Sequence, residues 1–122
     1  MRGDIVENED FDIIALVVKA LESTNIQVFE GWYDEEINKT HITIHEYLEQ
    51  DNEYEDDKAR CIEHNIQLDI WSKDSLEAYN LKKQVRKLMI ENDFRKTDSQ
   101  DFYEVKTKIY HKAMRFTYNE FI

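Results

Sequence analysis

A strand, a helix and a second strand follow one another between residues 61 and 118, and this unit constrains the fold more than any other feature. From residue 62 to residue 71, apolar and polar side chains alternate with a period of two, which predicts a strand with one buried face. Asp74 then stands three residues before Glu77, a spacing typical of a helix N-cap with a capping box. The chain returns in aromatic, strand-prone sequence. Because the unit contains neither a metal cage nor an activated nucleophile, it predicts a scaffold.

The first part of the chain adds a helix to this unit. Asp10 is the expected N-cap of a helix over residues 10–23, in which Val18 lies at the edge of the apolar stripe. The stripe itself consists of residues at helical spacing: Ile13, Ile14, Val17 and Leu21.

Further alternation predicts the strands. Residues 26–32 form a short strand, and residues 41–48 form another with Ile42, Ile44 and Leu48 on one face. We expect a long strand over residues 60–72, a helix over 75–92, and a hairpin or one bent strand over 102–118. The fold class is therefore α+β: a single domain over residues 1–122, with a mostly antiparallel sheet of about four strands packed against two helices.

Charge and composition exclude several classes of protein. The chain has 27 acidic and 16 basic residues, for a net charge of -11, which disfavours general DNA binding. With two isolated glycines and no proline, no glycine-rich phosphate loop can form, and connections should use Asn, Asp and Lys.

The single cysteine, Cys61, fits a reducing compartment. No apolar run approaches the roughly 20 residues that span a membrane. The acidic residues 1–10 do not resemble a secretory signal and are expected to be flexible.

An acidic segment over residues 50–58 is the strongest local charge feature. A solvated, mobile loop is the ordinary interpretation. Calcium binding is disfavoured because the EF-hand spacing and its glycine are missing. Two functional alternatives remain: the segment could line the lumen of a ring through which DNA slides, or it could mimic DNA phosphates. The acidic residues concerned are Asp51, Glu53, Glu55, Asp56 and Asp57.

The second predicted helix has an apolar and a basic face. Its apolar stripe consists of Ala78, Leu81, Val85, Leu88 and Met89. The other side carries Lys82, Lys83, Arg86 and Lys87, with Tyr79 and Ile90 among them. Such a face is either solvated or a subunit contact that pairs with an acidic surface of a neighbouring copy.

The histidines and the cysteine do not have the spacing of a metal site. His41 and His45 share one face of a strand but lie more than about 12 Å apart along it. Cys61 and His64 fall on opposite faces. We therefore expect no metal, no cofactor and no catalytic residues, and we do not expect an enzyme.

Two segments resemble the tail-completion or tail-terminator family of tailed phages, which includes the tail-to-head joining proteins. The first is residues 65–73, Asn-Ile-Gln-Leu-Asp-Ile-Trp-Ser-Lys, and the second is residues 109–118, Ile-Tyr-His-Lys-Ala-Met-Arg-Phe-Thr-Tyr. The resemblance covers roughly residues 11–118 and includes the order of elements. The acidic segment and residues 1–10 are not part of it.

The resemblance implies a structural virion protein located in the tail or neck and assembled in the host cytoplasm. Members form a ring, commonly a hexamer, which caps the tail tube, contacts the neck or head-completion protein, and leaves a lumen for DNA. Heterologous contacts closed by rotation are required for such a ring. Candidate contacts with subunits or partners are Trp32, Tyr33, Trp71, Tyr79, Lys83, Arg86, Ile90 and Arg115. The alternatives are an acidic inhibitor that mimics DNA and a head-completion adaptor.

Overall fold

The described residues form an α+β domain with two helices and a five-stranded sheet. The computed structural model describes residues 11–32, 38–55 and 58–121, and gives the backbone alone for residues 52–55 and 58–60. The elements are α1 (Ile13–Ala20), a 3-10 turn (Glu22–Thr24), β1 (Val28–Glu30), β2 (His41–Glu55), β3 (Lys58–Ser72), α2 (Ser75–Glu91), β4 (Arg95–Glu104) and β5 (Ile109–Phe121).

The sheet has the strand order β1-β2-β3-β5-β4, so it is mixed and has five strands rather than about four. β1 runs parallel to β2, and the other three pairs are antiparallel. The additional strand, β4, is mostly exposed and polar, so it lacks the apolar alternation that predicts a strand.

Both helices pack on one face of the sheet, where they form the hydrophobic core. α1 contributes Ile13 and Val17, and α2 contributes the predicted stripe, of which Leu88 is only partly buried. Ile14 is also partly buried, and Val18 is 39% exposed. The sheet contributes large side chains that are fully buried: Ile42, Ile44, Ile66, Leu68, Ile70, Met114 and Phe116.

The helix ends differ from the prediction in two respects. α1 begins at Ile13 because Asp12 is its N-cap, and its Oδ1 accepts hydrogen bonds from the backbone of Ile14 (3.0 Å) and Ala15 (3.1 Å). Asp10, the predicted cap, lies outside the described residues. The helix is also shorter than expected, because residues 22–24 tighten into the 3-10 turn.

Asp74 caps α2 as predicted, but the capping box does not form. The Asp74 Oδ1 atom accepts hydrogen bonds from the backbone N–H groups of Leu76 (2.9 Å) and Glu77 (3.0 Å). The Glu77 carboxylate turns away from the cap and accepts hydrogen bonds from Ser72 Oγ (2.9 Å) and Thr40 Oγ1. The Asp74 N–H donates to Ser72 Oγ instead, at 3.0 Å. Glu77 therefore connects the first turn of α2 to Thr40, which precedes β2, and to Ser72, the last residue of β3.

A bulge in β2 reverses the predicted alternation. The register between β2 and β3 shifts between Glu46 and Leu48, so Tyr47 is the extra residue. The alternation is regular as far as Glu46, which lies on the helix side of the sheet with Ile42 and Ile44. Leu48 pairs with Asn65 on the opposite side and is 45% exposed, so its predicted place on the buried face is wrong.

The described residues of the acidic segment do not form a loop: Asp51, Glu53 and Glu55 belong to β2, which pairs with β3 as far as Glu55 and Lys58. Asp56 and Asp57 lie outside the described residues. β5 accompanies β3 only as far as the pair Phe121–Cys61. Among the described strands, the hairpin beyond that pair is therefore a two-stranded extension, which we call the β2–β3 arm.

The connections use non-glycine residues in left-handed conformations, as the scarcity of glycine suggests. Asn25, Asp93 and Lys108 have φ angles of 59°, 71° and 60°. Asn and Asp tolerate this region better than other non-glycine residues because their short side chains bond the local backbone. Gly31, with φ of 119°, ends the segment after β1.

Candidate functional site

The sheet face opposite the helices carries a line of rings that crosses all five strands. β3 places Trp71 at its centre, and the neighbours in strand order are His41 on β2 and His111 on β5. Phe29 on β1 and Phe102 on β4 complete the line. We call these five residues the aromatic row.

The rings of the aromatic row contact one another in sequence. Trp71 and His111 stack with ring centroids 3.8 Å apart and planes 13° from parallel. His111 and Phe102 stack at 5.2 Å, and His41 and Trp71 at 6.4 Å. Phe29 meets His41 edge to face at 5.9 Å. Aromatic pairs in these geometries contribute about 0.5–1.5 kcal/mol each beyond area burial.

Hydrogen bonds fix the central rings. Trp71 Nε1 donates to Thr43 Oγ1 at 2.9 Å, and His111 Nε2 donates to the carboxylate Oδ1 of Asp69 at 2.7 Å. His41 Nδ1 donates to the carbonyl oxygen of Lys39 at 2.8 Å. Asp69 is only 3% exposed, so its carboxylate is held between its partners rather than solvated. The row is consequently a rigid surface.

A polar chain continues from Asp69 along the open face. Gln67 Nε2 donates to the same Asp69 oxygen at 2.9 Å, and Arg115 Nε donates to Gln67 Oε1 at 3.1 Å. The Arg115 guanidinium lies over the Tyr47 ring, 4.8 Å from its centroid. Arg115 is exposed yet held in one orientation, which suits an anchor residue at an interface.

The sheet has an open edge at each end. β4 pairs only with β5 among the described strands, and it exposes Phe102 (45%) and Tyr103 (48%), with Val105 (75%) just beyond. At the other end, β1 pairs with β2 only as far as Ile44. In the described part of the chain, nothing pairs with the outer side of β2 over residues 45–55. We call these the β4 edge and the β2 edge.

The two ends also differ in charge. α2 packs on β3, β5 and β4, and Lys82 Nζ bonds Asp101 Oδ1 on β4 at 2.9 Å. The basic face of α2 is therefore next to the β4 edge. The acidic residues of β2, including Asp51 and Glu53, follow the β2 edge.

The candidate contact residues fall into separate groups rather than one patch. Trp71 and Arg115 lie on the open face. Trp32 follows β1, is 74% exposed, and packs its ring against His45 at 3.9 Å. Tyr33 lies outside the described residues. α2, on the opposite side of the sheet, carries Tyr79, Lys83, Arg86 and Ile90.

On α2, Tyr79 and Ile90 are 54% and 53% exposed, and Lys83 Nζ lies over the Tyr79 ring at 5.4 Å. Sequence reasoning missed Phe29, His41, Phe102 and His111, because a line running across strands depends on register. The sequence indicates only that each strand carries at least one ring, and several strands carry more than one.

A second cluster surrounds His64 on the helix side of the sheet. His64 Nδ1 lies 2.5 Å from Glu46 Oε2, and its Nε2 lies 2.9 Å from Glu120 Oε1. Burial lowers the pKa of His64, but the hydrogen bonds and charges of Glu120 and Glu46 outweigh burial and raise the pKa above its usual value. Glu49 adds a third carboxylate: one potential ligand atom each from Glu46, Glu49 and His64 lie within 4.8 Å of one another.

Comparison with known proteins shows the fold. A chain from the structure titled "Virion of native gene transfer agent (GTA) particle" matches with a TM-score of 0.70, over 90% of this chain and 95% of that chain, at 10% sequence identity. No family model matches the sequence, and no curated protein matches it. No helix in the described ranges is long and apolar enough to cross a membrane. The chain thus shares nearly its whole fold with a component of a virion structure.

Proposed function

We propose that this chain is a structural virion protein whose copies close into a ring, in the manner of a tail-terminator or tail-to-head joining protein. The observation that carries the proposal is the match to a chain of a virion structure, which extends over nearly the full length of both chains. The resemblance of residues 65–73 and 109–118 to the tail-completion family supports the same role. The protein would be located in the tail or neck, with no catalytic function.

Two unlike open edges support ring closure. A cyclic assembly needs a heterologous contact, in which two different surfaces of one subunit meet those of its neighbours. The β4 edge of one copy can add to the β2 edge of the next, so that backbone hydrogen bonds continue the sheet from subunit to subunit. Exposed edges of this length are an aggregation hazard in a monomer, and pairing within a closed ring removes them.

Charge complements this arrangement. The basic face of α2 adjoins the β4 edge, whereas acidic side chains follow the β2 edge. A head-to-tail contact brings the two together, while like ends repel, so charge favours the contact that closes a ring. In this assembly Lys83 and Arg86 contact the neighbouring subunit.

The open face and the arm would then serve the other partners. The aromatic row and Arg115 supply fixed anchors for a tail tube protein or a neck or head-completion protein. The β2–β3 arm, with Glu53 and Glu55, and Asp51 just before it would border the lumen, where carboxylates repel DNA and allow it to pass without binding. The tube stops growing because the far side of the ring offers no surface for another tube subunit.

Light scattering after gel filtration tests the ring. A hexamer of 14.8 kDa subunits has a mass of about 89 kDa. Lys83→Glu should shift the protein to smaller species, as should high salt. Lys73→Glu, which makes the same charge change on an exposed residue preceding α2, should leave the mass unchanged. A monomer at all concentrations that also fails to cap tail tubes in electron micrographs would overturn the proposal.

A further inference from the structure

The bulge in β2 places two carboxylates on the same side of the sheet. Glu46 and Glu49 are three residues apart, so they would face opposite sides of a regular strand. The extra residue, Tyr47, shifts the alternation by one, and both side chains consequently face the helix side. There Glu49 is the direct cross-strand partner of His64 on β3. A bulge that re-aims side chains is typical of a functional position.

Glu120 on β5 orients the imidazole from the other side. Its Oε1 lies 2.9 Å from His64 Nε2, so it accepts the Nε2–H hydrogen. The Nδ1 lone pair of a neutral His64 then points toward Glu46 and Glu49. A carboxylate that accepts the second ring hydrogen of a histidine is the outer-shell arrangement of many metal sites, because it fixes the tautomer and increases ligand basicity.

The cluster has more negative charge than its histidine can balance. Three carboxylates surround one imidazole, and no lysine or arginine pairs with any of them in the described part of the chain. Glu120 is only 8% exposed, and its second oxygen, Oε2, is buried without a hydrogen-bond partner among the described residues. Even with His64 protonated, three ionised carboxylates leave the cluster with a net charge of −2. One of them, Glu120, is buried, where an unbalanced charge is costly.

We propose that Glu46, Glu49 and His64 Nδ1 bind one divalent metal ion of the Zn²⁺ class, with Glu120 as the outer-shell partner of His64. Zn²⁺ takes one nitrogen and two carboxylate oxygens at about 2.0–2.2 Å, which places tetrahedral ligand atoms about 3.4 Å apart. The candidate ligand atoms already lie within 4.8 Å of one another, so side-chain rotation alone can bring them to that spacing. Glu49 is exposed, which leaves the ion open to water at the fourth position.

Such an ion would join three strands at the base of the β2–β3 arm. Glu46 and Glu49 come from β2, His64 from β3 and the outer-shell Glu120 from β5. Cross-linking these strands holds the bulge in place and thereby sets the direction in which the arm leaves the sheet. The inference is independent of ring formation.

Calorimetric titration of the chelator-treated full chain with Zn²⁺ tests the site. We expect one ion per chain and a metal-dependent rise in Tm. Glu49→Gln should weaken binding at least tenfold and abolish the rise in Tm, because it removes a ligand. Without metal it should melt like the wild type, since Glu49 is exposed and makes no hydrogen bond to His64. Glu22→Gln, an equal charge change on the exposed 3-10 turn, should bind Zn²⁺ normally.

Glu120→Gln separates the outer-shell role from simple packing, because loss of an outer-shell partner should weaken Zn²⁺ binding about 10–100-fold. Absence of stoichiometric binding would overturn the proposal and leave His64 as an imidazole held by two carboxylates. Equal affinity of the Glu49→Gln and Glu22→Gln variants would also overturn it, because the ion would then occupy adventitious surface carboxylates. Ring mass measured on the same variants keeps this result separate from the proposed function.

Discussion

Trp71 is the centre of the aromatic row, and its replacement measures how much the row stabilises the fold. Trp71→Phe keeps an aromatic ring beside His111 but removes the Nε1–H that Thr43 accepts at 2.9 Å. Thr43 is 1% exposed, so its hydroxyl cannot turn to water. The loss of this hydrogen bond should lower the free energy of unfolding by about 1–2 kcal/mol. Trp71→Ala also removes the stacking and should lower the free energy of unfolding by about 2–4 kcal/mol. This loss is smaller than the roughly 3–5 kcal/mol expected when a fully buried ring is removed.

Urea denaturation followed by far-ultraviolet circular dichroism gives these free energies. Thr43→Val removes the other partner, and the double variant Trp71→Phe with Thr43→Val should cost about 1 kcal/mol less than the sum of the single changes. The chain offers a matched control in its other tryptophan. Trp32 is 74% exposed, so Trp32→Phe should change stability by less than about 0.5 kcal/mol.

Strict additivity of the two single changes would show that the Trp71–Thr43 hydrogen bond contributes nothing. A Trp71→Ala variant as stable as Trp32→Phe would refute the larger claim that the row is a rigid, stabilising part of the open face.

Three further changes test other parts of the fold. Asp74→Ala should lower stability by about 1 kcal/mol in urea denaturation, because α2 loses its N-cap. Phe116→Ala should cost about 3–5 kcal/mol in the same measurement, since this ring is fully buried in the core. Burial raises the pKa of Asp101, but the hydrogen bonds and charges of Lys82 and Lys112 lower it by more than burial raises it. The pKa of Asp101 is therefore below its usual value. Asp101 therefore stabilises the fold above its unfolded pKa, and this contribution disappears as the pH falls through the lowered value. Asp101→Asn should be less stable than the wild type at pH 7 by less than about 1 kcal/mol, because the carboxylate is half exposed, and melting curves should converge in acid.

The local sequence pattern predicted the buried residues correctly wherever a helix or strand buries a single face. The stripe of α2 and the alternating core face of β3 follow from periodicity, and the cap at Asp74 follows from residue type. The pattern failed where tertiary context decides. β4 forms despite its polar sequence, because the backbone of β5 offers it hydrogen bonds along its whole length. Glu77 does not complete the capping box, because its carboxylate accepts hydrogen bonds from Ser72 and Thr40, which lie outside the helix.

The positions of the candidate contact residues in the fold were predictable only in part. Trp71 and Arg115 were expected from residue type, and both lie on the open face. The acidic residues were expected in a loop, but the described ones extend the β2–β3 hairpin. His64 was weighed as a metal ligand only beside Cys61, whereas the bulge at Tyr47 brings Glu46 and Glu49 to it. No sequence rule reveals a bulge before the register between two strands is known.

By itself, the sequence determined the α+β class, the buried faces of both helices and of β3, the α2 cap and the use of Asn, Asp and Lys in the connections. These features depend on interactions between residues close together in the sequence, so they do not require the tertiary structure. The tertiary structure alone decided the strand order, the parallel β1, the bulge, the aromatic row and the His64 cluster. Those depend on register between strands far apart in the chain, and register is set by the summed packing of the whole sheet rather than by any one segment.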